Sequence, residues 1–321
     1  MISLNELSAE VVRRLTARAE SLQVAVTRLA NGAEVVDAGV EAPGSLEAGR
    51  LFAEVCMGGL GDVRLRMVQL DGLVLPGVEV AVSRPVLGCM AAQYAGWAVN
   101  VPAGGEGKKY FAMGSGPARA LYRGEPLFEH IDYADSARLA VLTLEARRLP
   151  TAEVVAWVAG KCAVDAADVH LLVAPTASLV GSVQIAARVV ETGLHKMHEV
   201  GFDINTVRSG FGTCPLAPVA ADDLTAIGRT NDAVLYGSRA WYTVQTDDAA
   251  IERVIEQLPA AASRDYGVSF GELFKRYEGD FYKIDPLLFS PAELALTNVT
   301  SGRTFRAGHV DAAMVAETLL A

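Results

Sequence analysis

The sequence predicts an α/β fold, on two observations: strand and helix patterns that alternate between Leu139 and Val200, and a composition able to bury a large core. Leu139–Ala146 reads as a strand, Thr151–Cys162 as a helix, His170–Ala174 as a strand and Ser178–Val200 as a helix. Such alternation favours a sheet covered by helices. Of the 321 residues 51% are hydrophobic and 21% charged, a globular rather than a disordered composition. At roughly 150 residues per domain, the length fits one large or two ordinary domains. No low-complexity linker or internal repeat marks a boundary.

The chain opens with a helix. Ser3 and Glu6 stand at capping-box spacing, and Leu4, Leu7, Val11, Val12, Leu15 and Leu22 recur with helical period. Val24–Leu29 and Ala33–Val40 read as a hairpin around Asn31-Gly32, since Asn-Gly accepts the positive φ of a type I′ turn. Leu46–Met57 reads as a helix ending at Gly58-Gly59, and Val63–Leu70 and Val74–Val82 as strands of β-branched, alternating residues. Pro85–Gly105 carries no charge and is long enough to span a bilayer, but Gln93, Asn100, Pro102 and several glycines interrupt it, so a buried segment is expected. Tyr110–Met113 reads as a short strand entering Gly114-Ser115-Gly116-Pro117. After the alternating series come a strand at Trp241–Gln245 and a helix over Asp248–Gln257. Ser290-Pro291-Ala292-Glu293 has the form of a helix start, with Pro at the first helical position. A hairpin around Ser301-Gly302 and a helix over Val310–Leu320 complete the chain.

Composition removes several function classes. The 28 Lys+Arg against 38 Asp+Glu give a net charge of −10, which argues against a nucleic-acid partner, because phosphate affinity needs clustered cations. The pairs Arg13-Arg14, Lys108-Lys109 and Arg147-Arg148 are too short to make a groove. A small anionic ligand stays open, since a local pocket can be positive on a negative protein. Met1–Glu6 shows no secretion signal, and with no membrane partner indicated a cytoplasmic protein is expected. Cys56, Cys89, Cys162 and Cys214 form no CxxC pair and read as buried thiols of a reducing compartment.

The segment Ser178–Glu199 is the most informative. In a mostly apolar helix, Gln184, Arg188, Glu191, His195 and His198 fall on one narrow polar stripe. A solvated helix face explains the stripe. A metal site from Glu191, His195 and His198 is a second reading, although its ligand set needs further members. The third is an Arg188/Glu191 pair in which the carboxylate takes and returns a proton.

Three glycine-rich loops, Gly58-Gly59-Leu60-Gly61, Gly104-Gly105-Glu106-Gly107 and Gly114-Ser115-Gly116, match no phosphate-loop or dinucleotide fingerprint. Each is explained as a tight turn, or as backbone that approaches a flat ligand with its N–H groups toward an anionic tail. Arg119 and Arg229 serve equally as surface charges or ligand contacts. Asn231 and Asp232 read as a turn or cap, and Cys214 as a packed thiol.

Five blocks resemble the methenyltetrahydromethanopterin cyclohydrolase family. They are Cys56–Gly61, Tyr110–Ala120, Ala174–Thr192, Gly228–Ala233 and Tyr282–Ala292, in family order across almost the whole chain. The resemblance implies a cytoplasmic α/β enzyme of two α/β domains with a substrate cleft between them. It also implies a homotrimer, and no metal or organic cofactor beyond the pterin substrate. The domains are expected as residues 1–84 together with 202–321, and residues 85–201. The implied reaction is reversible hydrolysis of the N5,N10-methenyl bridge of the pterin to the N5-formyl form, in methanogenesis or in formaldehyde oxidation. Arg188 and Glu191 match the family's active-site Arg and Glu, with Glu191 as general base and acid and Arg188 orienting it. Gln184, Gly114, Ser115, Gly116, Arg119 and Ser178 are candidate substrate contacts. The rivals are a non-catalytic pterin or one-carbon carrier and a metal-dependent hydrolase using Glu191, His195 and His198. An NAD-dependent dehydrogenase is disfavoured by the missing dinucleotide fingerprint.

Overall fold

The structure, a computed structural model, describes residues 2–102, 109–280 and 283–320. Among these, the strands are β1 (Ala25–Arg28), β2 (Glu34–Asp37), β3 (Gly61–Leu70), β4 (Leu73–Val82), β5 (Trp97–Val101), β6 (Tyr110–Ser115), β7 (Ala140–Glu145), β8 (Val169–Ala174), β9 (Val207–Pro215), β10 (Arg239–Val244), β11 (Glu293–Asn298) and β12 (Thr304–Gly308). They form two six-stranded sheets, ordered β1-β2-β8-β7-β6-β5 and β12-β11-β10-β9-β4-β3. Each sheet, with its helices, centres one α/β unit, so the expected pair of α/β domains is present.

The units are assembled differently from the expected grouping. One comprises Met1–Gly61 and Leu87–Gln184, the other Asp62–Val86 and Ile185–Ala321. The first 61 residues therefore pack with the segment after residue 86, because β2 lies against β8 and the helix Leu4–Thr16 covers the same sheet.

In the first unit β2, β8 and β7 run parallel, flanked by antiparallel β1 and β6. Alternate residues of each parallel strand enter separate cores. Val35, Leu142 and Leu171 pack with Val155 and Val158 of the helix Ala152–Cys162. Val36, Val141 and Leu172 pack with Leu15, Leu51 and Val55 of the helices Leu4–Thr16 and Leu46–Cys56. Burial on both faces explains why β7 and β8 read as nearly continuous apolar runs. Ser3 caps the first helix as its spacing predicted, accepting from the Glu6 N–H at 3.2 Å. The β1–β2 hairpin is present, but its turn is not the expected type I′. Gly32 alone takes positive φ (86°), with its N–H on the Leu29 carbonyl, so three residues connect the Leu29–Ala33 pair.

The uncharged stretch holds a π-helical segment, Val86–Gln93, and then β5. No helix among the described residues is long and apolar enough to cross a membrane. The loop Gly104–Gly107 lies outside the described residues.

In the second unit β3, β4, β9 and β10 form an antiparallel series, β11 runs parallel to β10, and β12 returns antiparallel. The helix-start signature at Ser290-Pro291 is overturned, because Glu293–Asn298 is β11. Its Leu294 and Leu296 are fully buried, and its register beside β10 outweighs a local signal of four residues. The predicted helix Asp248–Gln257 shortens to Asp248–Glu252 followed by a 3₁₀ turn. Asn231 and Asp232, read as a turn or cap, lie inside the helix Asp223–Gly237.

Candidate active site

The segment read as one helix is two, Leu179–Ala186 and Val189–Glu199, separated by a turn at Ala187-Arg188. No glycine or proline stands at the break. Packing holds each part separately. The first lies close on the helix Leu46–Cys56 at Gly49, where an added Cβ would stand 2.7 Å from Val183 Cβ. The second lies close on β9, whose Gly210 and Gly212 leave room for Val190 and Val189. The Tyr242 hydroxyl of β10 donates to the Val190 carbonyl at 2.8 Å.

These contacts put Val189, Val190 and Gly193 on the sheet side of the second helix. At 100° per residue, Arg188, Glu191, His195 and His198 take the opposite side. Glu191 occupies the first turn, the positive end of the helix dipole, where a carboxylate is favoured. Arg188 Nη1 stands 3.6 Å from Glu191 Oε2, and the two side chains are only 12% and 5% exposed. A solvated face is therefore not the explanation for these two residues.

His195 is also largely buried, and burial pushes its imidazole below the ordinary value, against the opposing pull of Glu199. Its Nε2 stands 3.4 Å from Glu199 Oε1. Among the described residues no three His, Cys, Asp or Glu side chains gather into a group able to hold a metal ion. The triplet Glu191, His195 and His198 is thus not assembled as ligands.

Gln184 lies in the first unit, on the helix Leu179–Ala186, and is buried. Its amide nitrogen donates to Glu145 Oε2 at 3.4 Å, and the Thr176 hydroxyl donates to Glu145 Oε1 at 2.5 Å. Glu145 and Thr176 come from the carboxyl ends of the neighbouring strands β7 and β8, the end of a parallel sheet where ligands gather. Neither was singled out from sequence; the available signal was an acid closing a strand that is apolar but for Thr143. Ser178 caps the same helix, donating to the Pro175 carbonyl at 2.8 Å and accepting from the Gly181 N–H at 2.9 Å.

The block Gly114–Arg119 holds the π-helical segment instead of presenting donors to a ligand. A π-turn, closed here by the Tyr94 N–H on the Cys89 carbonyl, leaves carbonyls at its end in need of partners. The Ser115 hydroxyl takes Gln93 O at 2.5 Å and the Gly116 N–H takes Ala92 O at 2.8 Å. Arg119 Nη1 takes Met90 O and Ala92 O at 2.9 and 3.0 Å. Fully buried, the same guanidinium makes a bidentate pair with Glu125, at 2.8 and 2.6 Å. Gly114 is a paired residue of β6 between β5 and β7. The expected direction of these N–H groups toward an anionic tail is corrected accordingly. Gly58 and Gly59, at φ 66° and 71°, end the helix Leu46–Cys56 and pack on Leu4 and Leu7.

Two further buried charges belong to the second unit. Lys196 donates to the Leu287 carbonyl, and burial lowers its ammonium to about 8. Asp232 accepts from the Phe270 N–H at 2.8 Å, and burial raises its carboxyl to about 7. Cys214 is a packed thiol, pushed up by burial, as are the other cysteines in being buried and unbridged.

Residues 3–319 match the family described as Cyclohydrolase (MCH). The chain is 45% identical over 324 residues to a protein of Methanocaldococcus jannaschii named methenyltetrahydromethanopterin cyclohydrolase, covering 99% of this chain and 98% of the relative. Proteins of the same name from Methanosarcina barkeri (44%, covering 96% and 95%) and Methylobacterium organophilum (45%, covering 98% and 96%) are similarly related. The match spans both units and all five sequence blocks, and the chain belongs to the methenyltetrahydromethanopterin cyclohydrolase family.

Proposed function

We propose that this protein is a cytoplasmic enzyme that reversibly hydrolyses the N5,N10-methenyl bridge of methenyltetrahydromethanopterin to the N5-formyl form. The observation that carries the residue roles is the buried Arg188–Glu191 pair at the start of a helix. The bridge is an amidinium cation, N–CH=N⁺, whose carbon is already electrophilic, so its polarisation needs no Lewis acid. Glu191 accepts a proton from water as the oxygen adds to that carbon, giving a neutral carbinolamine. It returns this proton to N10 as the N10–C bond breaks. The carbinolamine O–H proton leaves to solvent as C=O forms, so one cation and one water yield the formyl product and one proton. Proton transfer by a positioned group is worth ~10²–10⁴-fold. Arg188 orients the carboxylate and faces the developing oxygen.

The test is decay of the amidinium absorbance when the purified protein meets the methenyl pterin, with and without a chelator. Wild type is expected to turn over unaffected by the chelator, and Glu191→Gln to keep its fold while losing ~10²–10⁴-fold in rate. A Glu191→Gln enzyme at wild-type rate overturns the proton-transfer role, and chelator-sensitive turnover returns the metal-hydrolase reading. The proposal also carries a homotrimeric assembly and no cofactor beyond the pterin, which sedimentation and elemental analysis of the purified protein check.

A further inference from the structure

Two carboxylates stand at the carboxyl end of the parallel strands in the first unit, with contrasting hydrogen-bond balances. Asp37, closing β2, accepts the N–H groups of Gly39, Val40, Glu41 and Ala42 at 2.7 to 3.0 Å. A carboxylate has about four acceptor positions, so Asp37 is saturated by backbone and shapes the loop after β2. Glu145, closing β7, accepts only from Thr176 and Gln184 among the described residues. Both donors are uncharged, no ion pair to Glu145 occurs among the described residues, and the side chain keeps partial access to solvent.

Among the described residues, Glu145 therefore has one acceptor position left on each oxygen and no cationic side chain paired with it. Thr176 and Gln184 fix the plane of the carboxylate from two sides. A group complementary to that arrangement presents two parallel N–H donors to two parallel oxygens, the geometry of bidentate carboxylate recognition. In a reduced pterin the 2-amino-4-oxopyrimidine ring offers such an edge, through N3–H and the 2-amino group.

We propose that Glu145 is the specificity-determining residue that reads the N3–H/2-amino edge of the pterin, held in position by Thr176 and Gln184. This rests on the cyclohydrolase reading above and adds which part of the substrate is recognised, and by what. Glu145 takes no part in the bond changes, so its loss weakens substrate binding more than turnover.

The test pairs a variant with a ligand change. Calorimetry on the wild-type protein compares 6-methylpterin with 6-methylpteridin-4-one, which lacks the 2-amino group, and a ~10–100-fold weaker second ligand is expected. Glu145→Gln should raise KM for the methenyl substrate by ~10–100-fold with a smaller change in kcat, and should bind the two ligands alike. Equal binding of both ligands by wild type overturns the proposal, as does a Glu145→Gln enzyme whose KM stays within about twofold of wild type. Should Glu145→Gln fail to fold, the ligand pair on wild type still decides. Wild type that discriminates the two ligands yet never hydrolyses the methenyl substrate would defeat the cyclohydrolase reading and leave the Glu145 assignment standing.

Discussion

Arg188 Nη1 and Glu191 Oε2 stand 3.6 Å apart across the first turn of a helix that begins where a longer one has been interrupted. Had the helix continued unbroken, Glu191 would lie in its middle, far from any free backbone N–H. The interruption instead gives the carboxylate two sources of positive potential, a guanidinium and a helix N-terminus, in buried surroundings where each acts more strongly than in water.

Replacement of Arg188 tests that coupling. Arg188→Gln is expected to lower turnover by ~10–10³-fold, and the double variant Arg188→Gln/Glu191→Gln to be little slower than Glu191→Gln alone. Single-turnover decay of the amidinium absorbance in the four proteins measures the coupling, and strictly additive losses would show that the two side chains act separately.

Arg119 has a different role, so its substitution should register in stability. Arg119→Ala strands the Glu125 carboxylate and the carbonyls of Met90 and Ala92 in buried surroundings. A cost of about 3–5 kcal/mol is expected, as for other buried pairs broken from one side. Urea denaturation provides the number, and a loss below about 1 kcal/mol would mean that the π-helical segment is held by other contacts.

Gly212→Ala probes how closely the helix Val189–Glu199 is seated. The new Cβ would stand 2.9 Å from Val189 Cγ1 and 3.0 Å from the Arg239 carbonyl, and neither a β-branched methyl nor a strand backbone moves cheaply. About 1–3 kcal/mol of stability should be lost, together with activity, because Val189 begins the helix that carries Glu191. Thermal melting and turnover measured on one preparation test whether both fall.

Lys196 gives a pH signature. Its ammonium titrates at about 8 in the folded protein against 10.5 ordinarily, so between those values the unfolded chain binds more protons than the folded one. Stability attributable to Lys196 therefore rises with pH across that window and is absent below it. Relative to Lys196→Met, wild type should gain on the order of 2–3 kcal/mol from pH 8 to pH 10.5. Denaturant titrations of both proteins at several pH values, compared as differences so that tyrosine ionisation cancels, would show it; a flat difference would place the ammonium in a solvated site.

Much of this architecture was legible from periodicity. The first helix and its Ser3 cap, the strand pair before the uncharged stretch and the alternating series after Leu139 all follow local patterns that tertiary packing reinforces. β9 escaped because Gly210 and Gly212 dilute its strand character, and those glycines are there for the helix above them. The break at Ala187-Arg188 escaped because no glycine or proline marks it. In the site, the three-residue spacing of Arg188 and Glu191 is local and could be read. Glu145 and Thr176 meet Gln184 only through the ordering of β7 and β8, a non-local relation that one-dimensional patterns do not carry. The partners of Arg119 were out of reach for a related reason, since the carbonyls it serves belong to a segment some thirty residues earlier, as its pairing with Met90 shows.

The chain leaves the first unit after Gly61, returns to it after Val86 and leaves again after Gln184. During synthesis β3 and β4 emerge early, yet the neighbour of β4 is β9, which begins only at Val207. The rest of the first unit, Leu87–Gln184, is translated in between, while the outer edge of β4 waits unpaired as a template for foreign strands. Nascent chains of this protein should accordingly be prone to association through that interval. Neither unit can be excised as a contiguous fragment without discarding strands from its own sheet.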